Sequence, residues 1–100
     1  MVRHIVMWNF VDEISESAKP ETAMRIKNEL EALLGVVDGL LEISVVTPIK
    51  GSSSFELVLN SLFCDEKALS DYQVHPEHVK AASFIKSVTQ GRKCIDFYEG

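Results

Sequence analysis

Tyr72, His75 and His78 fall within seven residues of one stretch, "DYQVHPEHV". A phenol and two imidazoles at that spacing admit three uses: a proton-transferring pair, a pair of metal ligands, or a helix start that its histidines merely cap. Pro76 sorts them. Proline fixes its own φ and lacks an N–H, so it belongs at the first position of a helix. His75 then precedes the helix, biased towards extended backbone and suited to capping, and His78 occupies the third helical position. The unpaired N–H groups and positive dipole end of that first turn disfavour an imidazolium. A neutral imidazole at His78 can accept a proton near pH 7. Tyr72 closes the preceding segment, and with His78 it makes a donor–acceptor pair for a proton on an enolisable or phenolic ligand. The structural alternative is that Tyr72 and His78 are half-buried with their polar tips satisfied.

The remaining chemistry-bearing residues are few. HxxH offers two imidazoles, and no third ligand has matching spacing, so no metal site is expected. His4 stands inside an apolar strand pattern, where it either faces the same hollow as His78 or is a satisfied core histidine. Cys64 and Cys94 lack CxxC spacing and are too few for a disulfide framework. They read as buried thiols of a reduced, cytoplasmic protein. No phosphate loop, dinucleotide fingerprint or nucleophilic triad is present.

These groups must be positioned by a single domain spanning residues 1–100. Fifteen acidic against ten basic side chains leave a net charge of −5 without a Lys/Arg cluster, which excludes nucleic acid and anionic membrane surfaces as partners. No apolar run reaches the roughly 20 residues needed to cross a bilayer. The opening "VRHIVMWNFV" (2–11) reads as a first strand, with His4, Val6, Trp8 and Phe10 on one face and Ile5, Met7 and Asn9 on the other. A helix follows, with Ser17 as N-cap, Pro20 in its first turn, a stripe of Ala23, Ile26, Leu30, Leu33 and Leu34, and Gly35 as its stop.

Strands are then expected at 40–47 and 55–63, with "PIKGSSS" as the intervening turn. Asp65 caps a short helix, "EKALSDYQV", and a second helix starts at Pro76 with Val79, Ala82, Ile85 and Val88 inward and Ser83 and Lys86 towards solvent. Gly91 breaks that helix, and "RKCIDFYE" (92–99) closes the chain as a fourth strand. The order describes an α+β fold of the ferredoxin-like βαββαβ kind, its second helical segment split in two over a four-stranded antiparallel sheet. Helices on one face leave the other open, yet the strands are apolar on both. Sheet-to-sheet homodimerisation into an α+β barrel resolves this.

With these residues in view, the chain resembles the stress-responsive A/B barrel family. The resemblance covers nearly the whole length and rests on "VRHIVMWNF", "DYQVHPEHVKAASFIKSV" and "CIDFYE", the tyrosine followed by HPxH being the most specific piece. It implies a ferredoxin-like fold whose sheets pack into a dimeric barrel, in agreement with the independent argument. A plant branch of the family acts as polyketide cyclases that use a tyrosine and a histidine as acid–base pair, with no cofactor. Carried over by motif, that pair is Tyr72 and His78, and His4 matches the histidine of the first strand. The cyclase type has a further histidine on its third strand where this chain has Leu57 within "SFELVL".

The expectation is a homodimer binding a small apolar, oxygenated molecule between sheet and helices. Tyr72 and His78 are its polar anchors, His4, Val6, Trp8, Leu57 and His75 its further contacts, and no cofactor takes part. The alternatives are a non-enzymatic stress-response or protein-association dimer, and a cofactor-independent enzyme resembling a cyclase or monooxygenase.

Overall fold

The computed structural model describes residues 1–100. Its elements run β1 (Val2–Phe10), α1 (Lys19–Glu31), β2 (Leu40–Val46), β3 (Leu57–Phe63), α2 (Glu66–Val74), α3 (Pro76–Val88) and β4 (Thr89–Tyr98). The four strands form one antiparallel sheet in the order β2-β3-β1-β4, and the architecture is ferredoxin-like.

β1 lies at the centre, and its period-two alternation decides the layering. Val2, His4, Val6, Trp8 and Phe10 are buried beneath the helices, while the intervening side chains face the open side of the sheet. On that open side Ile5 lies beside Ile95, Met7 beside Val58, and Arg3 beside Phe97. Arg3 ties the layer together there, holding Glu99 at 2.6 Å and Asn60 at 3.0 Å.

The helices cover the other side with short stripes. α1 buries Ala23, Ile26 and Leu30, at the i, i+3, i+7 spacing of one face. α2 buries Ala68 and Tyr72, and α3 buries Ala81 and Ile85. Asp65 caps α2 as expected, its carboxylate accepting the Ala68 N–H at 2.8 Å. Gly39 seats α2 against the turn before β2: its φ is +81°, and a Cβ there would lie 2.5 Å from that of Ala68.

Several local expectations are corrected. Ser17 does not cap α1. The chain enters through a turn in which the Ser15 carbonyl accepts the Ala18 and Lys19 N–H groups at 3.0 and 3.2 Å, so Ala18 is the cap residue and no side-chain cap forms. α1 also stops before Gly35. Leu33 stays buried, but Leu34 leaves the stripe and is half exposed because the helical phase ends at Ala32. β3 begins at Leu57 rather than at residue 55.

Gly91 is not the end of α3. That helix closes at Val88, where Thr89 returns its hydroxyl to the Ile85 carbonyl at 2.7 Å. Gly91 lies inside β4 with φ +67°, at the register shift opposite Met7–Asn9, which identifies it as the pivot of a β-bulge. Both thiols, expected to be buried, are exposed and unpaired. Cys64 leaves the sheet at the end of β3, and Cys94 lies on β4, an edge strand whose only buried residue is Thr89.

Candidate functional site

Three elements bring the chemistry together. His4 comes from the middle of β1, Tyr72 from the inner face of α2, and His78 from the first turn of α3. His75 joins the two helices: its N–H bonds to the Tyr72 carbonyl, and its Nδ1 accepts the Glu77 N–H at 3.1 Å. One histidine thereby ends α2 and begins α3, which fixes the angle at which Tyr72 and His78 meet. Their ring centroids are 4.1 Å apart, with a tilt of 39°. Tyr72 also packs on Phe63 at 4.9 Å and stands edge-on to His4 at 6.4 Å.

The rings border a cavity of about 560 Å³ between sheet and helices, within the usual range of small-molecule sites. Val6, Trp8, Leu59 and Ile85 form much of its apolar wall, and Tyr72, His78 and His4 all reach it. The Tyr72 hydroxyl is buried and has no hydrogen-bond partner. A phenol in that state costs free energy, about 1–3 kcal/mol for an unsatisfied buried polar group. Burial pushes its pKa up to about 12, against a smaller downward pull from the Arg92 charge. Tyr72 is therefore a neutral hydrogen-bond donor throughout the physiological range.

His78 is the complementary partner. Burial holds its pKa below the ordinary value, the Gln73 carbonyl opposes this, and the charges of His4, Arg92 and His75 lower it further. Burial, more than the helix start, accounts for the lowered value. The contact from Nδ1 to the Gln73 carbonyl is long, at 3.4 Å, so the imidazole is held in place by stacking more than by bonding.

His4 is buried, and its Nδ1 pairs with Asp96 across the β1–β4 register. The Ser61 hydroxyl donates to the His4 backbone carbonyl at 2.9 Å from the other flank. The carboxylate fixes the ring, leaving the second nitrogen free of any protein partner. No three His, Cys, Asp or Glu side chains converge in an arrangement suited to a metal ion.

Of the residues expected at the site, Tyr72, His78, His4, Val6 and Trp8 line one cavity. Leu57 and His75 do not. Leu57 pairs with Trp8 on β3 and is fully buried in the core, and Leu59, beside Val6, takes the lining position instead. His75 is committed to the helix junction. Asp96, which pairs with His4, and Arg92 and Gln73, which line the cavity, were not expected there. Ser83 and Lys86 are solvent-exposed, as expected, and also border the cavity. Alternation along β4 carried a usable signal, because Arg92 and Asp96 share the parity that faces the helices. The bulge at Gly91 and the strand's depth beneath α3 were not visible in it. Val79 was expected inward; it lines the cavity but is 52% exposed at its open mouth.

The stress responsive A/B barrel domain family matches residues 2–99 of the chain. A stress-response A/B barrel domain-containing protein of Arabidopsis thaliana is 25% identical over 97% of this chain, which spans only 46% of that relative's length. Among solved structures, a dimeric protein of unknown function with a ferredoxin-like fold from Bacteroides fragilis superposes with a TM-score of 0.87 at 26% identity, covering 96% of this chain and 93% of the other. A cofactor-independent oxygenase from Streptomyces nogalater shares the fold with a TM-score of 0.76 at 10% identity, over 99% of this chain and 92% of its own.

Proposed function

This chain belongs to the stress-responsive A/B barrel domain family, and from that premise we propose that it is a homodimer binding a small apolar, oxygenated molecule in the cavity beneath α2 and α3. The observation that carries the reading is Tyr72, which lines a cavity of about 560 Å³ and whose buried hydroxyl has no partner. A polar group left unbonded in a pocket otherwise walled by Val6, Trp8, Leu59 and Ile85 is suited to donate to an oxygen of a bound molecule. His78, neutral and stacked on it, accepts from a hydroxyl or enol of the same ligand.

The test is a thermal-shift screen of phenolic and enolisable compounds on the wild type, Tyr72→Phe and His78→Ala. Ligands should raise the melting temperature of the wild type, and the shift should fall in both variants. Equal shifts in all three would remove Tyr72 and His78 from the site.

The dimer rests on the open sheet face, where Ile95 and Phe97 are 53% and 42% exposed in the company of Ile5 and Met7. It rests also on the dimeric state of the Bacteroides fragilis relative. Light scattering across dilution should give twice the chain mass, and Ile5→Lys should give a monomer. A wild-type monomer at micromolar concentration would remove the dimer. No helix is long and apolar enough to cross a membrane, and the two free, exposed thiols suit a reducing compartment such as the cytoplasm.

A second reading is supported by the same pair of rings and by the fold shared with a cofactor-independent oxygenase. A neutral imidazole that removes a proton and a neutral phenol that donates to the developing oxyanion form an acid–base pair needing no metal. Turnover of an enolisable ligand that vanishes in His78→Ala, with binding retained, would favour an enzyme over a binding protein.

A further inference from the structure

The distribution of charge around the cavity does not match the rest of the molecule. The chain is acidic overall, with fifteen carboxylates against ten basic side chains. Most of its cations are spoken for: Arg3, Lys19, Arg25, Lys27, Lys67 and Lys80 each hold a carboxylate. Lys86 on α3 and Arg92 on β4 are exposed and hold none, and both line the cavity. No aspartate or glutamate lines it. The carboxylate of Asp96, on the same strand as Arg92, is paired with His4.

Lys86 and Arg92 come from different elements, so their convergence is a property of the tertiary fold and not of a local basic run. Arg92 also acts inward, since its charge lowers the pKa of both Tyr72 and His78. The cavity thus has an apolar middle, a buried hydrogen-bond donor at Tyr72, and two unpaired cations at its rim.

We propose that the ligand of this cavity is an apolar carboxylic acid. Its carboxylate is held at the rim by the Arg92 guanidinium and the Lys86 ammonium, its body lies against Trp8, Leu59 and Ile85, and an oxygen at its far end reaches Tyr72. This rests on the ligand-binding reading above and adds the charge of the ligand to it. Guanidinium presents a planar fork that fits a carboxylate in two parallel bonds, and an open rim lets the anion keep part of its hydration. A neutral ligand would leave both cations unused.

The experiment compares hydroxynaphthoic acid with its primary amide, a neutral molecule of nearly the same shape, by isothermal titration against wild type, Tyr72→Phe, and the double variant Lys86→Gln/Arg92→Gln. Neither rim residue is paired or buried, so the double variant should melt as the wild type does, which circular dichroism checks. The acid should bind wild type about tenfold more tightly than the amide at low salt, as a charge-assisted bond supports. That preference should shrink with added salt and fall to about unity in the double variant. Equal binding of acid and amide to wild type, with both weakened by Tyr72→Phe, overturns the proposal while the cavity reading stands. A preference that survives in the double variant overturns it too. If neither compound binds wild type at millimolar concentration, the cavity reading falls and this inference falls with it.

Discussion

The sheet has two edges, and the molecule treats them in opposite ways. At the β2 edge α1 closes the structure. The Glu31 carboxylate accepts the Val45 N–H at 2.9 Å, and the Lys27 ammonium donates to the Val45 carbonyl at 3.0 Å, so side chains satisfy backbone groups of the outer strand. Beneath them Ile26, Val45 and Leu57 are buried to 1% exposure or less. At the β4 edge the helices leave the strand largely uncovered: every residue of β4 after Thr89 is exposed, although the Tyr98 hydroxyl donates to Glu66 of α2, and the space under α2 and α3 is a cavity. One edge is filled and bonded, and the other leaves a donor unbonded at Tyr72. A fold of two layers does not have to be hollow anywhere, so the hollow end is where stability has been forgone and a ligand can be received.

The contrast can be broken at several points. The largest effect belongs to the filled end. Ile26→Ala removes three buried carbons from a site with no slack and should cost about 3 kcal/mol in chemical denaturation, within the 2–5 kcal/mol of such substitutions, while leaving probe binding intact. A loss below about 1 kcal/mol would mean that this end is less well packed than its burial indicates.

Tyr72→Phe at the hollow end should move the other way. It deletes a hydroxyl that has no partner, so stability should stay level or rise by about 1 kcal/mol, while the ligand-induced shift is lost. A clear destabilisation would show that the hydroxyl is bonded in the free protein.

The two ends should also separate by pH, through smaller effects. His78 is held below its ordinary value of 6.5. The unfolded chain therefore takes up that proton first as pH falls, and stability present above 6.5 is lost below it. At the filled end burial raises the Glu31 pKa, but the Lys27 ammonium and the Val45 N–H more than offset this and leave it below its ordinary 4.5. Its contribution is present above that value and lost as pH falls through the folded pKa. The melting temperature of His78→Gln should thus drop less than that of wild type between pH 7.5 and 5.5 (roughly one unit on either side of an ordinary imidazole pKa), whereas Glu31→Gln should differ from wild type only in stronger acid. Parallel pH curves for His78→Gln and wild type would show that the imidazole is not shielded.

The smallest effect is at the rim, where Arg92→Gln alone should change stability by less than about 0.5 kcal/mol. A larger loss would reveal a partner for the guanidinium that the structure does not contain.

Much of the fold was legible because it depends on local rules. Alternation in "VRHIVMWNF", the Asp65 cap, and Pro76 with its consequences for His75 and His78 each concern a few consecutive residues. The misplacements share a cause as well. Ser17 and Leu34 lie beside the ends of α1 and Gly91 at a bulge inside β4, where one turn or one bulge reassigns a residue that propensity alone describes well. The site was partly legible. Tyr72 and His78 are close in sequence and fixed by one proline, so their meeting could be argued. Leu57 and Leu59 share a face of β3 beside Trp8 and Val6, which both line the cavity, so only the packing above the sheet decides that Leu59 and not Leu57 borders it.

Sequence by itself determined the βαββαβ order, the place of His78 in the first helical turn behind a proline, and the phenol placed before it, because those follow from dihedral limits and periodicity acting over short spans. The burial that keeps His78 neutral came from the tertiary fold. Tertiary structure alone decided that the His4 face of β1 looks at the helices. It also joined Asp96 to His4 and set Lys86 and Arg92, from separate elements, around one opening. Those facts depend on strand order, on a bulge at Gly91 and on how far α3 leans over β4. They are distances between parts of the chain that no local rule relates.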